Sequence, residues 1–282
     1  MIRVVADSAC DLPEAIVAQH RITIVPLTIR FGDEELADVG PNEFWAKCRS
    51  SSLLPSTAAP APGAFVAAFR QLAGAGADGV VCINLSSKLS ATIQSAQAAA
   101  REVADTIPVR VIDSLSVSLG QGLLVVAAAG RAEAGESIDS VAGAVEAAIP
   151  RVKVFGVLDT LENLKKGGRI GGAQALLGSM LSIKPVIEIR DGVVEQESKQ
   201  RTRGRSLHYL ADKVVQAAAA GRLQDLAVMN GDAADIDRLI EMITPAAPTS
   251  GILVGMIGAV IGSHGGPGVV GVAWVEPEPG AG

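Results

Sequence analysis

Residues 79–114 read GVVCINLSSKLSATIQSAQAAAREVADTIPVRVIDS, and this stretch decides the fold. Gly79–Asn84 is a short apolar run of the kind that forms a buried strand. A hydroxyl-rich turn at Ser86-Ser87 follows, and then an alanine-rich helical segment over roughly Leu89–Asp105. A second strand, Val109–Ile112, ends at Asp113-Ser114. Strand, helix and strand in this order predict parallel pairing with helices packed on the sheet.

The same alternation extends in both directions. Upstream, Ile2–Ala6 reads as a strand ending at Asp7-Ser8, and Pro13–His20 as a helix. Ile22–Ile29 reads as a strand whose Pro26 places it at an edge or bulge. Asn42–Arg49 and Phe65–Leu72 are helical, and the prolines at 55, 60 and 62 forbid a helix between them. Downstream, helices near Leu119–Ala132 and Ile138–Ala148 close a first half. Pro150 marks a boundary, so the expected organisation is an α/β domain over 1–150, its parallel sheet covered on both faces, and an α+β domain over 151–282.

In the second half, Val152–Leu158, Leu226–Met229, Ile252–Ile257 and Val269–Trp274 read as strands. Ala173–Leu181, Arg205–Ala220 and Ala233–Ile243 read as helices. Lys184–Arg190 and Val193–Lys199 flank Asp191-Gly192, a preferred two-residue hairpin turn. The Glu-Pro-rich tail after Val275 reads as frayed.

Composition removes several functions. Apolar residues make up 49% and charged residues 19% of the 282, which is not a disordered composition. The net charge of −6, without a basic block, argues against nucleic-acid binding. The three cysteines, at 10, 48 and 82, form no zinc or disulfide framework, and His20, His208 and His264 have no i,i+4 partner. The chain opens directly into a strand pattern without signal-peptide anatomy, and its most apolar stretch, Ile252–Ile261, is too short to span a bilayer. A cytoplasmic protein is expected, with at most transient contact with a membrane surface.

The two G-x-G-x-x-G matches, at Gly74–Gly79 and Gly266–Gly271, stand in the wrong order relative to strand and helix for dinucleotide binding. There is no G-K-[ST] phosphate loop and no G-x-S-x-G nucleophile elbow. What stands out is hydroxyls at strand ends and loops: Asp7-Ser8, Ser56-Thr57, Ser86-Ser87 and Asp113-Ser114. Ligands bind at the carboxyl ends of strands in open α/β sheets, and a helix start attracts an anion. Ser and Asp are equally ordinary N-caps, and Asp7 and Asp11 read as an exposed or capping pair. His264 and Arg169 lie in glycine-rich loops that a ligand can approach closely. Arg201, Arg203 and Arg205 form a basic cluster that is either solvated surface or a contact for phosphate.

Taken in order, these segments resemble the DegV family. Asp7-Ser8-Ala9-Cys10-Asp11-Leu12 resembles its D-S-x-x-D-L opening, and Pro55-Ser56-Thr57 its P-S-T loop. Ser86-Ser87-Lys88-Leu89-Ser90-Ala91-Thr92 resembles S-S-x-L-S-G-T, with Ala91 in place of the usual glycine. Asp113-Ser114 with Gly120-Gln121-Gly122, Leu161–Ile170 as L-x-x-L-x-x-G-G-R-I, and His264-Gly265-Gly266-Pro267-Gly268 complete the set. The resemblance implies a fatty acid held between two domains, its tail in an apolar tunnel. It implies that Thr57, Ser86, Ser87 and His264 bind the carboxylate, with Ser90, Thr92, Arg169, Arg201 and Arg203 as secondary contacts to ligand, phosphate or partner. It further implies a non-catalytic subunit whose ATP-dependent kinase partner phosphorylates the carboxylate, with no cofactor or metal of its own. The alternative is a free-standing phosphotransferase or hydrolase acting on a small anion, with His264 as acid or base.

Overall fold

The structure, a computed structural model, describes residues 1–37 and 39–278, without the side chains of 37 and 177–182. The end of the Glu-Pro-rich tail, 279–282, lies outside the described residues.

In the first half the chain forms β1 (Ile2–Asp7), α1 (Glu14–Gln19), β2 (Thr23–Val25), β3 (Thr28–Phe31), β4 (Glu34–Ala37) and α2 (Pro41–Ser50). It continues with β5 (Ser56–Ala58), α3 (Pro62–Gly74), β6 (Gly79–Asn84), α4 (Thr92–Glu102), β7 (Val109–Asp113), α5 (Leu119–Glu133) and α6 (Ile138–Ala148). Strands β2, β1, β6 and β7 pair in that order, all parallel. Side chains on a strand alternate between its faces, and both faces here are apolar. Val5, Val80 and Cys82 pack against Phe65 and Phe69 of α3 and Ala96 and Ala99 of α4. Val4, Ala6, Val81 and Ile83 pack against Leu124 and Ala128 of α5 and Val141 and Val145 of α6.

The expected strand Ile22–Ile29 is two strands. Pro26 offers no N–H to a ladder, and the chain breaks there. β2 ends the parallel sheet as its edge strand, and β3 joins a separate three-stranded sheet in the order β4-β3-β5. The proline-flanked segment read as a loop therefore contains β5, which pairs antiparallel with β3 and sets Ile29 opposite Thr57. The helix expected from Leu89 begins only at Thr92.

The second half forms β8 (Val152–Val157), α7 (Glu162–Lys166), β9 (Lys184–Arg190), β10 (Val193–Gln200), α8 (Arg203–Ala219) and β11 (Asp225–Gly231). It ends with α9 (Ile236–Ile243), β12 (Ile252–Met256), α10 (Ala259–Gly265) and β13 (Val269–Val275). Six strands pair in the order β10-β9-β8-β13-β11-β12, antiparallel except for β11 with β12. The β9–β10 hairpin turns at Asp191-Gly192, both with positive φ (50° and 81°), as an Asp-Gly turn requires. The segment read as a helix over Ala173–Leu181 consists of 3-10 turns spanning Gly171–Ser182.

Helices α8 and α9 cover one face of this mixed sheet, with Leu207, Leu210, Val214 and Leu239 on Phe155, Val157, Val228 and Val272. The opposite face, including Val154, Ile187, Ile189 and Met229, packs against the first half through Leu27, Ile29, Phe44, Trp45, Leu85 and Leu119. The largest apolar cluster is thus the seam between the halves.

Candidate functional site

Within that seam lies an apolar cavity of about 840 Å³, part of it continuous with solvent. Its wall is almost entirely aliphatic, with Leu27, Leu85, Val117, Ile187, Ile189 and Met229 among the lining. The polar side chains in the lining are Thr57, Ser90, Arg169 and His264. An apolar pocket with a few polar groups that fix orientation is the usual form of a small-molecule site.

Each polar group reaches the cavity for a local reason. Thr57 is brought in by β5, whose register on β3 is fixed by Ile29 in the core. Its Oγ1 lies 3.0 Å from His264 Nε2. His264 was expected in a loop and instead sits in the last turn of α10. That helix can dock because Gly262 carries no side chain: a methyl group there would meet Phe44 at 2.5 Å and Trp45 at 2.8 Å. The Phe44 and Trp45 rings form an edge-on pair 4.8 Å apart, which gives the helix an apolar bed.

Gly167 is the second position where a missing side chain decides the geometry. A methyl group there would collide with His264 Nδ1 and lie 2.8 Å from Cε1. The segment Leu161–Ile170 thus works in three parts. Leu161 and Leu164 anchor it in the core, Gly167 makes room for the imidazole, and Arg169 turns back toward the cavity. Arg169 donates from Nε to the Leu89 carbonyl (3.0 Å) and from Nη1 to the Gly167 carbonyl (2.6 Å). Its Nη2 has no protein partner among the described residues. Burial, reinforced by the charge of Arg169, pushes the His264 pKa down to about 4, so the ring is neutral at physiological pH.

Ser90 lines the cavity and Thr92 stands behind it, with their hydroxyl oxygens 2.9 Å apart. The Ser90 hydroxyl also accepts from the Thr92 N–H (3.3 Å) and thereby opens α4. Ser86 and Ser87 do not line the cavity. The Ser86 hydroxyl is buried, donates to the Gly192 carbonyl (2.6 Å) and so seats the β9–β10 hairpin on the first half. The Ser87 N–H donates to Asp113 Oδ1 (3.0 Å). Arg203 is engaged elsewhere, donating to both oxygens of Asp235 (2.9 and 2.8 Å) and lying 3.7 Å from Asp159. Arg201 is exposed, two residues before α8 begins. Thus Thr57, Ser90, Arg169 and His264 come together, and Ser86, Ser87, Arg201 and Arg203 stand outside that group.

Asp7 and Asp11, read as exposed or capping, are both buried. Asp7 is a cap: it accepts from the N–H groups of Ala9 (3.1 Å) and Leu85 (2.8 Å) and from Asn84 Nδ2 (3.1 Å). Burial raises its pKa against the pull of these donors. It ties the end of β1 to the end of β6 and so shapes the turn that leads to Ser90. The structural parts of Gly167 and Trp45 were not foreseen. The adjacent glycines at 167 and 168 and the scarcity of tryptophan, two in the whole chain, were the available signals.

Among the described residues no group of three or more His, Cys, Asp or Glu side chains could hold a metal ion, and no helix is long and apolar enough to cross a membrane.

The comparisons with known proteins fit this geometry. The profile described as "Uncharacterised protein, DegV family" matches residues 1–277. A DegV domain-containing protein of Streptomyces coelicolor is 36% identical over 279 residues, covering 96% of this chain and 97% of its own length. A solved structure described as fatty acid binding of a DegV family protein from Thermus thermophilus superposes with a TM-score of 0.89 at 34% identity, covering 98% of this chain and 99% of that one. DegV of Bacillus subtilis, described as a fatty acid binding protein, superposes with a TM-score of 0.88 at 30% identity, with coverage of 98% and 99%. Matched over nearly its whole length, the chain belongs to the DegV family.

Proposed function

We propose that this protein binds a long-chain fatty acid, the tail in the apolar cavity and the carboxylate against Thr57, Ser90, Arg169 and His264. The observation that carries the reading is the pairing of an aliphatic cavity with one polar cluster at its wall. Burying an acyl chain of about sixteen carbons contributes up to ~10 kcal/mol at ~0.8 per methylene, less the cost of ordering the ligand. A buried carboxylate requires several donors. The Thr57 and Ser90 hydroxyls, the free Nη2 of Arg169 and a neutral imidazole supply them. Ser86, Ser87 and Thr92 then act by shaping the turn that presents Ser90.

The two halves, 1–150 and 151–282, act as domains that hold the ligand between them. Beside the cavity an open depression is lined by Lys88, Leu89, Ser90, Gly168, Arg169 and Gly171. It shares Ser90 and Arg169 with the cavity, which suits a role in presenting the carboxylate. In this reading a separate ATP-dependent kinase phosphorylates the carboxylate to an acyl phosphate, in the cytoplasm, and Arg201 and Arg203 serve the contact with that partner. The chain itself acts as a carrier and not as a catalyst.

A free-standing phosphotransferase or hydrolase with His264 as base is less well supported. An imidazole with a pKa near 4 is a weak general base at neutral pH.

Solvent extraction of the purified protein followed by mass spectrometry tests the reading, together with uptake of labelled fatty acid. Bound fatty acid is expected, and acyl phosphate should form only when ATP and a kinase partner are added. A chain that neither carries nor takes up fatty acid would sink the proposal. Thr57→Val should weaken loading by ~0.5–3 kcal/mol, the span from an ordinary hydrogen bond to one with a charged group.

A further inference from the structure

Helix α10 belongs to the second half of the chain, yet two of its anchors come from the first. The Gly258 N–H at its start donates to Asp11 Oδ1 (2.9 Å), and Asp11 Oδ2 accepts from the Ser118 hydroxyl (2.5 Å). One residue earlier, the Ile257 carbonyl accepts from Trp45 Nε1 (2.8 Å). Asp11 is buried and its backbone is left-handed, with φ 51°. Both features are costly for an aspartate and persist only where the surroundings compensate. Asp11 does not line the acyl cavity, and the fatty-acid reading assigns it no part.

Asp7, the neighbouring buried carboxylate, does not share this arrangement. Its partners Ala9, Asn84 and Leu85 all belong to the first half, so it ties strands of one sheet. Asp11 and Trp45 each reach the strand-to-helix junction of the other half.

The half that supplies Asp11 and Trp45 also supplies Thr57. The 3.0 Å approach of Thr57 to His264 therefore depends on how α10 is tied to that half. We propose that Asp11 and Trp45 are positioning residues: they clamp the start of α10 across the seam, so that His264 meets Thr57 and the carboxylate site is assembled from both halves. This inference rests on the fatty-acid reading. By linkage, a carboxylate held jointly by Thr57 and His264 tightens the same seam in return.

A residue that acts through His264 loses its effect once His264 is gone, whereas a merely structural residue keeps it. The test is a double-mutant cycle on the full chain, read by titration with cis-parinaric acid. Asp11→Ala alone should weaken binding ~10-fold, and less than ~2-fold when added to His264→Ala. Trp45→Phe preserves the aromatic bed and removes the hydrogen bond, so it gives a second cycle if Asp11→Ala fails to fold. It should cost ~5-fold alone and almost nothing beside His264→Ala. Asp11→Asn keeps an oxygen for Gly258 and can donate to Ser118, and it should restore binding to within ~2-fold of wild type. Additive losses in the cycles, with wild-type binding intact, would overturn the inference alone. A wild-type chain that takes up no cis-parinaric acid would overturn the fatty-acid reading, and the inference with it.

Discussion

The two main sheets of this protein solve different problems. The parallel sheet of the first half is sealed by its own helices, α3 and α4 on one face and α5 and α6 on the other. The mixed sheet of the second half has its long helices, α8 and α9, on one face. Its other face is completed largely by the first half, through β3, α2, the loop around Leu85 and the start of α5, with the short helices α7 and α10 beside them. A face sealed by its own connections is packed to the density of a core. A face completed by another part of the chain can leave room, and the cavity lies there. The difference explains why the polar cluster draws Thr57 and Ser90 from one half and Arg169 and His264 from the other.

The largest effect expected from this comparison is on the sealed sheet. Phe69→Ala opens a void between α3 and the parallel sheet and should cost ~3–5 kcal/mol of stability by chemical denaturation. Fatty-acid affinity at temperatures where the variant is folded should change little. A large loss of affinity in folded Phe69→Ala protein would show that the first sheet is not the passive partner described here.

The next effect falls on the seam and reverses the pattern. Gly167 has a negative φ of −73°, so alanine there is not strained in its backbone; its methyl group meets the His264 imidazole first, with the Asn163 carbonyl 3.0 Å away. Gly167→Ala should displace the ring and reduce affinity by ~1–3 kcal/mol, the range for losing a hydrogen bond at a charged ligand. Its melting temperature should stay close to wild type, and unchanged affinity would remove His264 from the carboxylate site.

The smallest effect is a pH dependence. Burial raises the Asp11 pKa to about 7, against the pull of the Ser118 hydroxyl and the Gly258 N–H, and Asp7 nearby adds to the rise. A carboxylate whose folded-state pKa is raised favours the folded state in its protonated form. Its contribution is fully present below the ordinary carboxylate range and is lost as pH rises through about 7. Asp11→Asn removes that titration. As pH rises from 6 to 8 the stability of Asp11→Asn should therefore rise relative to wild type by ~1 kcal/mol in thermal or urea unfolding and then level off, because above about 7 Asp11 is ionised in both states. A difference that stays constant across this range would mean that Asp11 does not titrate there.

Much of this comparison was legible in the chain. Gly79–Ile83 is apolar on both faces, and that alone marks a strand covered on two sides. The Asp-Gly hairpin and the break at Pro26 follow from backbone chemistry, although Pro26 divides its segment between two sheets where only an edge or bulge was expected. Other features were not legible. Ser86 and Ser90 stand four residues apart in one turn and carry the same hydroxyl. Ser86 is consumed by the Gly192 carbonyl of a hairpin more than a hundred residues away, and Ser90 lines the cavity. Local sequence cannot distinguish them, because the partner that decides their roles is distant in the chain.

His264 shows the same division. Its glycine-rich surroundings read as a loop, because glycine is unfavourable within a helix. The helix forms because Gly262 allows it to lie against Phe44 and Trp45, and that gain exists only once α2 is in place. From the sequence alone followed the α/β alternation, the apolar strands, the turn chemistry and the ordered hydroxyl, arginine and histidine motifs, all of which depend on near neighbours. Only the tertiary structure decided which of those groups meet, since the site lies on a seam between two halves and each half holds part of it.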